Sequence, residues 1–322
     1  MGDKMNKLYD FPEILNWPTL VPSWIIQDLV IILLGIITII FILKKEERPI
    51  PILLEIFCFI FLYAGIYENM AMVAGWYGFG RSIVMIFNVP ITVPLIEILF
   101  VYAGIRFCST LKIPAWAIPI FVGMFGVMAD LTLDPLALSQ VAVTSEGIIG
   151  RWSWFIGEND LNFFGVPVYN FVGWLLLCGY STAFIILGRH WYKKSGYKSI
   201  IGYIYPPIVM LAGLLVMVSP LSAFLLWIGP FFAKGGWTEY IMFAFGFLFL
   251  IVLTIIWRGK MRKLLTVKND YIILIVFGVF YFSNIIFSII GKQWAILLFS
   301  LPFVAIHMGI LFFGFNRKNI SQ

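Results

Sequence analysis

Long apolar runs, each near the length that crosses a bilayer, follow one another along almost the whole chain, with short polar joints between them. They fall near 24–43, 50–68, 82–105, 113–130, 164–187, 201–229, 238–257, 270–290 and 293–315. A transmembrane helix needs about 20 mostly apolar residues. The pattern therefore predicts an all-α polytopic membrane protein of about nine transmembrane helices. The sixth run is overlong and holds Pro206, Pro207 and Pro220. It reads either as one kinked helix or as a helix followed by a re-entrant piece. The first run is followed by "KKEER" rather than by a small-residue cleavage site, so it reads as a retained span and not as a cleaved signal.

Composition agrees with the pattern. Of 322 residues, 61% are hydrophobic and 12% charged, against roughly 25% charged in soluble domains. The spans use up the length, which predicts one integral-membrane domain over 1–322, placed as a multi-pass protein in the cell membrane. The formal charge of +6 does not mark a nucleic-acid binder, because the basic residues are strung through short loops and form no contiguous stripe. Numbering the loops alternately puts sixteen of the 22 lysines and arginines on one side. By the positive-inside rule that side is cytoplasmic. The N-terminus is then outside and the C-terminus cytoplasmic. Splitting the sixth run would flip every later loop and spoil the bias.

This orientation gathers Glu68, Arg81, the segment 131–163, Tyr169, Asn170 and Trp174 at one, non-cytoplasmic, side. The 131–163 connection is the longest in the chain, and a connection of that length is uncommon unless functional or disordered. It carries acids, polar residues and tryptophans together, as in "SEGIIGRWSWFIGENDLNFFG". Its tryptophans argue against disorder. It reads as a structured lid or interfacial segment.

Candidate chemistry concentrates at the same side. "MADLTLDP", 128–135, closes the fourth run with Asp130 and Asp134 four residues apart, on one helix face. Pro135 biases Asp134 away from helical geometry, so the helix is expected to end there. The pair is either a solvated helix terminus or, since Met128, Leu131, Leu133 and Leu136 flank it, a pair held at the hydrocarbon edge. Desolvation favours the neutral form of a carboxyl group, which can donate a proton. Trp152 and Trp154, in "WSW", read as an interfacial aromatic belt or as a wall whose π faces stabilise a cation. Asn170, in "FFGVPVYNFVGW" (163–174), needs a partner where it is buried, whether an aspartate, a catalytic water or another helix. Glu68 ends the second run, either as an exposed cap or as part of the site. Glu97 lies in mid-span in "PLIEILFVYAG", where an acid marks a functional or packing position. Asp28 and His307 are weaker candidates of the same type.

No metal, haem or nucleotide pattern is visible, so no cofactor is expected. The three cysteines, Cys58, Cys108 and Cys178, are far apart and suit packing rather than a disulfide or zinc site. The two histidines are isolated, and no Walker loop or dinucleotide-binding glycine pattern occurs.

"DLTLDPLA", "WSW" and "FFGVPVYNFVGW" together resemble the signature of the CruF-like carotenoid biosynthesis membrane proteins, a family that includes carotenoid 1,2-hydratases and the bisanhydrobacterioruberin hydratases of archaea. The likeness is specific over about 126–175. "ENMAMVAGWYGFGRS" and "VPITVPLIEILFVYAG" fit more loosely, and the last hundred residues match only as hydrophobic spans. The resemblance implies a lyase that hydrates a terminal isoprenoid double bond without a redox cofactor. Its matching positions are Asp130, Asp134, Trp152, Trp154, Asn170 and Trp174, with Glu68 a weaker match. After Phe79 and Gly80 the family tends to carry a tyrosine-containing step, whereas this chain has Arg81 and Ser82. An arginine there suits an anionic headgroup, which widens the implied substrate from an acyclic carotenoid to a geranylgeranyl chain of an archaeal ether lipid.

The chemistry meets the residues at Asp130 and Asp134. One carboxylic acid protonates the alkene and the other orients water, with Asp130 the acid, or the reverse. Glu68, Arg81, Trp152, Trp154, Asn170 and Trp174 would then bind the substrate. The rival reading is a membrane transporter of a lipophilic substrate, which proline-broken spans and intramembrane acids suit, although no internal repeat is visible. A non-catalytic scaffold is a further rival. In protein lacking the three native cysteines, single cysteines at Ser145 and Ser195 are expected to react with an impermeant thiol reagent from opposite sides of the membrane. Labelling of both from one side would contradict the orientation.

Overall fold

The computed structural model describes residues 21–144, 147–157, 161–223, 247–248, 250–252, 254–256 and 265–315. Among these, eight helices are long and apolar enough to cross a membrane: α1 (Pro22–Lys45), α2 (Pro49–Val73), α3 (Thr92–Thr110), α4 (Ile118–Ser139), α5 (Val168–Lys194), α6 (Ser199–Met217), α7 (Val267–Ile290) and α8 (Trp294–Gly314). The chain is a mostly helical, multi-pass membrane protein. The expected span at 238–257 lies for the most part outside the described residues. The overlong sixth run does not form one helix. Pro206 and Pro207 are accommodated inside α6, which stops at Met217, before Pro220.

Helix starts follow proline chemistry. α1, α2 and α4 each have a proline in their first two positions, where its missing N–H costs no hydrogen bond. α1 and α5 end on lysine pairs, Lys44–Lys45 and Lys193–Lys194, which favour the negative end of a helix dipole. α2 is interrupted by a π-helical stretch, Phe59–Ala64.

The bundle is not uniform. In α4, 89% of the most apolar window is buried against protein, and in α3 78%, against 28% in α8. The acids Asp130, Asp134 and Glu97 thus ride on the two most enclosed helices. Packing of α4 on α5 is close because Gly123 and Gly126 leave room. A Cβ on Gly126 would sit 2.7 Å from Cys178 Sγ, and one on Gly123 2.7 Å from the Leu175 side chain. Gly179 in turn faces Pro119, so the two helices run antiparallel.

The helix does not end at Asp134. α4 continues through Pro135 to Ser139, which corrects the expectation drawn from the proline. The segment is buried on all sides, and tertiary packing outweighs the local preference. The 131–163 connection therefore begins as helix. Beyond it the chain forms short strands: β4 (Val141–Thr144) pairs antiparallel with β5 (Gly147–Gly150), and β6 (Trp152–Trp154) with β1 (Tyr77–Phe79). Smaller ribbons join β2 (Met85–Ile86) to β3 (Val89–Pro90) and β7 (Asn162–Phe163) to β8 (Val166–Pro167). The fold is thus mostly helical, in keeping with the expected all-α class, with a fringe of short β-ribbons at one end.

At the opposite end, charged groups are paired. Arg106 reaches Glu46 at 2.6 Å and Asp270 at 3.0 Å. Arg189 clasps Glu55 with two nitrogens, at 2.9 and 2.6 Å, and Tyr205 donates to the same carboxylate.

The glycine contact is testable. Gly126→Ala should lower the thermal midpoint in detergent, with overpacking costing about 1–3 kcal/mol against the roughly 1 kcal/mol that alanine gains in helix propensity. Adding Cys178→Ala should restore the loss. A stabilised single variant would refute the tight α4–α5 contact.

Candidate active site

Asp130 and Asp134 lie one turn apart on α4, and neither has any solvent exposure. Asn170, in the first turn of α5, stands opposite both. Its Nδ2 donates to Oδ2 of each aspartate at 2.7 Å. The shared amide holds the two carboxyl groups side by side. The Oδ1 atom of each has no protein partner. The antiparallel α4–α5 contact sets this geometry, because it brings the start of α5 level with the last turns of α4.

Two more acids, Glu97 on α3 and Glu68 on α2, are buried in the bundle. Glu68 is not an exposed cap. It accepts a hydrogen bond from Tyr77 at 2.5 Å. Burial, then the charge of Glu68, pushes the Tyr77 phenol well above its ordinary range, which keeps it a donor. Glu97 Oε2 has no protein partner.

The aromatic wall forms because "WSW" is a strand. Successive side chains alternate between faces, so Trp152 and Trp154 share a face while Ser153 is exposed. β1 supplies Tyr77 and Phe79 in the same alternation. The ring centroids of Trp152 and Phe79 are 4.5 Å apart, and those of Trp154 and Tyr77 4.6 Å. Trp152 packs with Ala137, one turn beyond Asp134. Trp154 also meets Tyr169, with centroids 6.0 Å apart.

Asp130, Asp134 and Asn170 are therefore in direct contact, and Glu68 is joined to the wall through Tyr77. Arg81 and Trp174 are placed differently. Together with Trp152 they line a small neighbouring cavity. Tyr77 was missed in the sequence, although "YGF" repeats the aromatic–small–aromatic spacing of "WSW". Asp28, a weaker candidate in the sequence, is paired with Arg151, which no local pattern marks. Arg151 Nη2 is 3.3 Å from Asp28 Oδ1, Thr92 donates to the same oxygen at 3.1 Å, and Ser82 donates to Oδ2. Among the described residues no group of three or more His, Cys, Asp and Glu side chains is placed to hold a metal ion.

No family model, curated protein or solved structure matches the chain.

Asn170→Leu removes the one amide that serves both aspartates and should cost about 1–3 kcal/mol of stability. In protein that also carries Asp130→Asn, which brings its own donor, the cost should shrink. A thermal double-mutant cycle in detergent with no coupling between the two positions would contradict the shared bond.

Proposed function

We propose that the protein is a cofactor-independent membrane hydratase. It adds water across a trisubstituted isoprenoid C=C bond to give a tertiary alcohol, on an acyclic carotenoid end group or on a geranylgeranyl chain of an archaeal ether lipid. The reading places it in the cell membrane with its N-terminus outside. One observation carries it: two fully buried carboxyl groups, clasped by a single amide, inside an apolar bundle beside an aromatic wall.

The chemistry follows from those groups. Asp130 gives its proton to the less substituted alkene carbon, and the π electrons form the new C–H bond. The other carbon becomes a tertiary cation. Water forms the C–O bond through an oxygen lone pair, oriented by Asp134, and its surplus proton returns to the carboxylate. Acid and base are regenerated, and nothing is oxidised or reduced. A carboxylic acid held away from water is a competent general acid. The indoles of Trp152 and Trp154 stabilise the cation through their faces without adding to it. Asn170 keeps the two carboxyls together. The pair is closed off from the surroundings, so a prenyl chain enters only where helices or the ribbon part. The resemblance over 126–175 supports the same reaction.

Purified protein in detergent, given an acyclic carotenoid or a geranylgeranyl ether lipid, should form the alcohol. Asp130→Asn and Asp134→Asn should each lower turnover by about 10²–10⁴-fold, the usual worth of general acid–base catalysis, with the fold retained. Trp152→Leu should cost more than Trp152→Phe, which keeps a weaker π face. Wild-type turnover in either aspartate variant would remove that carboxyl from the mechanism. Movement of an unaltered substrate across vesicles would favour a transporter.

A further inference from the structure

A cavity of about 40 Å³ lies under the ribbon of β1 and β6, against the stretch of α4 that carries the acid pair. One side is polar: Asp28, Ser82, Thr92, Arg81 and Arg151 line it. The other side belongs to the site's own helices. Leu133 and Ala137 contribute from α4 and Ile96 from α3. Leu133 and Ala137 follow Asp130 and Asp134 at helical spacing and share their face, while Ile96 is the neighbour of Glu97. Trp152 forms part of the wall, and its Nε1 is buried without a protein partner.

A cavity holds water when it has room and two to four polar partners per molecule, each water needing about 10–15 Å³. This one has space for about three, and its polar groups are fixed. Asp28 is held by Arg151, Ser82 and Thr92 at once, so its carboxylate cannot swing away. A dry cavity would leave this array facing apolar side chains. On the hydratase reading above, the reaction consumes one water per double bond within an apolar bundle.

We infer that this cavity is the water site of the enzyme: a chamber, with the Asp28–Arg151 pair as its polar wall, that stores water and delivers it past Leu133 to Asp134. The inference assigns a role to Asp28, Ser82, Thr92 and Arg151, none of which touches the acid pair.

Radiolytic hydroxyl-radical footprinting of the full chain in detergent reads internal water directly, because radicals form from water already in place. Trp152 and Trp24, which line the cavity, should be oxidised in wild-type protein despite being buried. Ala137→Leu and Ile96→Phe fill the chamber from opposite walls. Either should abolish that labelling and cause a parallel loss of hydration. An unchanged thermal midpoint of each filled variant in detergent controls for folding. Absence of labelling in wild-type protein that still hydrates its substrate overturns the chamber alone. Loss of labelling with unchanged hydration in a filled variant overturns its supply role. Labelling without any turnover in wild-type protein overturns the supply role and the hydratase reading together.

Discussion

Asp130 and Asp134 are fully buried, and the hydrogen bond that each Oδ2 receives comes from the fold. A polar group buried without a partner costs several times the net worth of an ordinary hydrogen bond, and two adjacent carboxyls raise the demand. The Asn170 amide meets it for both at once. Much of the architecture follows from keeping that amide in place. α4 and α5 approach closely through Gly123 and Gly126. α4 stays helical through Pro135, which keeps Asp134 on the same face as Asp130. Had the helix stopped at the proline, the second carboxyl would have turned towards the rim and the pair would have been lost.

The periphery is held by pairs rather than by single charges. Asp28 on α1 ties down Arg151, which leads directly into β6, so the ion pair fixes the ribbon that carries Trp152 and Trp154. The pairs at the far end, Glu55 with Arg189 and Arg106 with Glu46 and Asp270, join α2 to α5 and α1 to α3 and α7. Removing one partner of a buried pair leaves an uncompensated charge and costs about 3–5 kcal/mol. Such pairs therefore act as positional locks. His307 is different: it stacks on Phe125, packs at a tilt against Phe277 and is bonded to Tyr281 at 2.6 Å. It is fully buried.

Much of this was legible in the chain because the signals were strong and local. Twenty-residue apolar runs mark helices in any context, and an acid pair at four-residue spacing inside one is rare enough to notice. The convergence of Glu68, Trp152, Asn170 and the aspartates at one end followed from alternating spans. What escaped depended on tertiary contacts. Pro135 reads as a helix stop until packing on every side overrides it. Tyr77 is one aromatic among many until β1 pairs with β6 and aims its hydroxyl at Glu68. Arg151 and Asp28 are 123 residues apart in sequence, and nothing local joins them. Arg81, expected to bind substrate, lines the same cavity as Trp152 and Trp174.

The central claim is that a carboxyl of this pair protonates an isoprenoid double bond and that water then adds. The most direct measurement follows the atoms. With an unsaturated prenyl substrate in heavy water, the account predicts deuterium on the carbon next to the new carbinol. In oxygen-labelled water without dioxygen, it predicts the label in a tertiary hydroxyl on the methyl-bearing carbon. A product that forms only in air, keeps its double bond and takes no oxygen from water would contradict it.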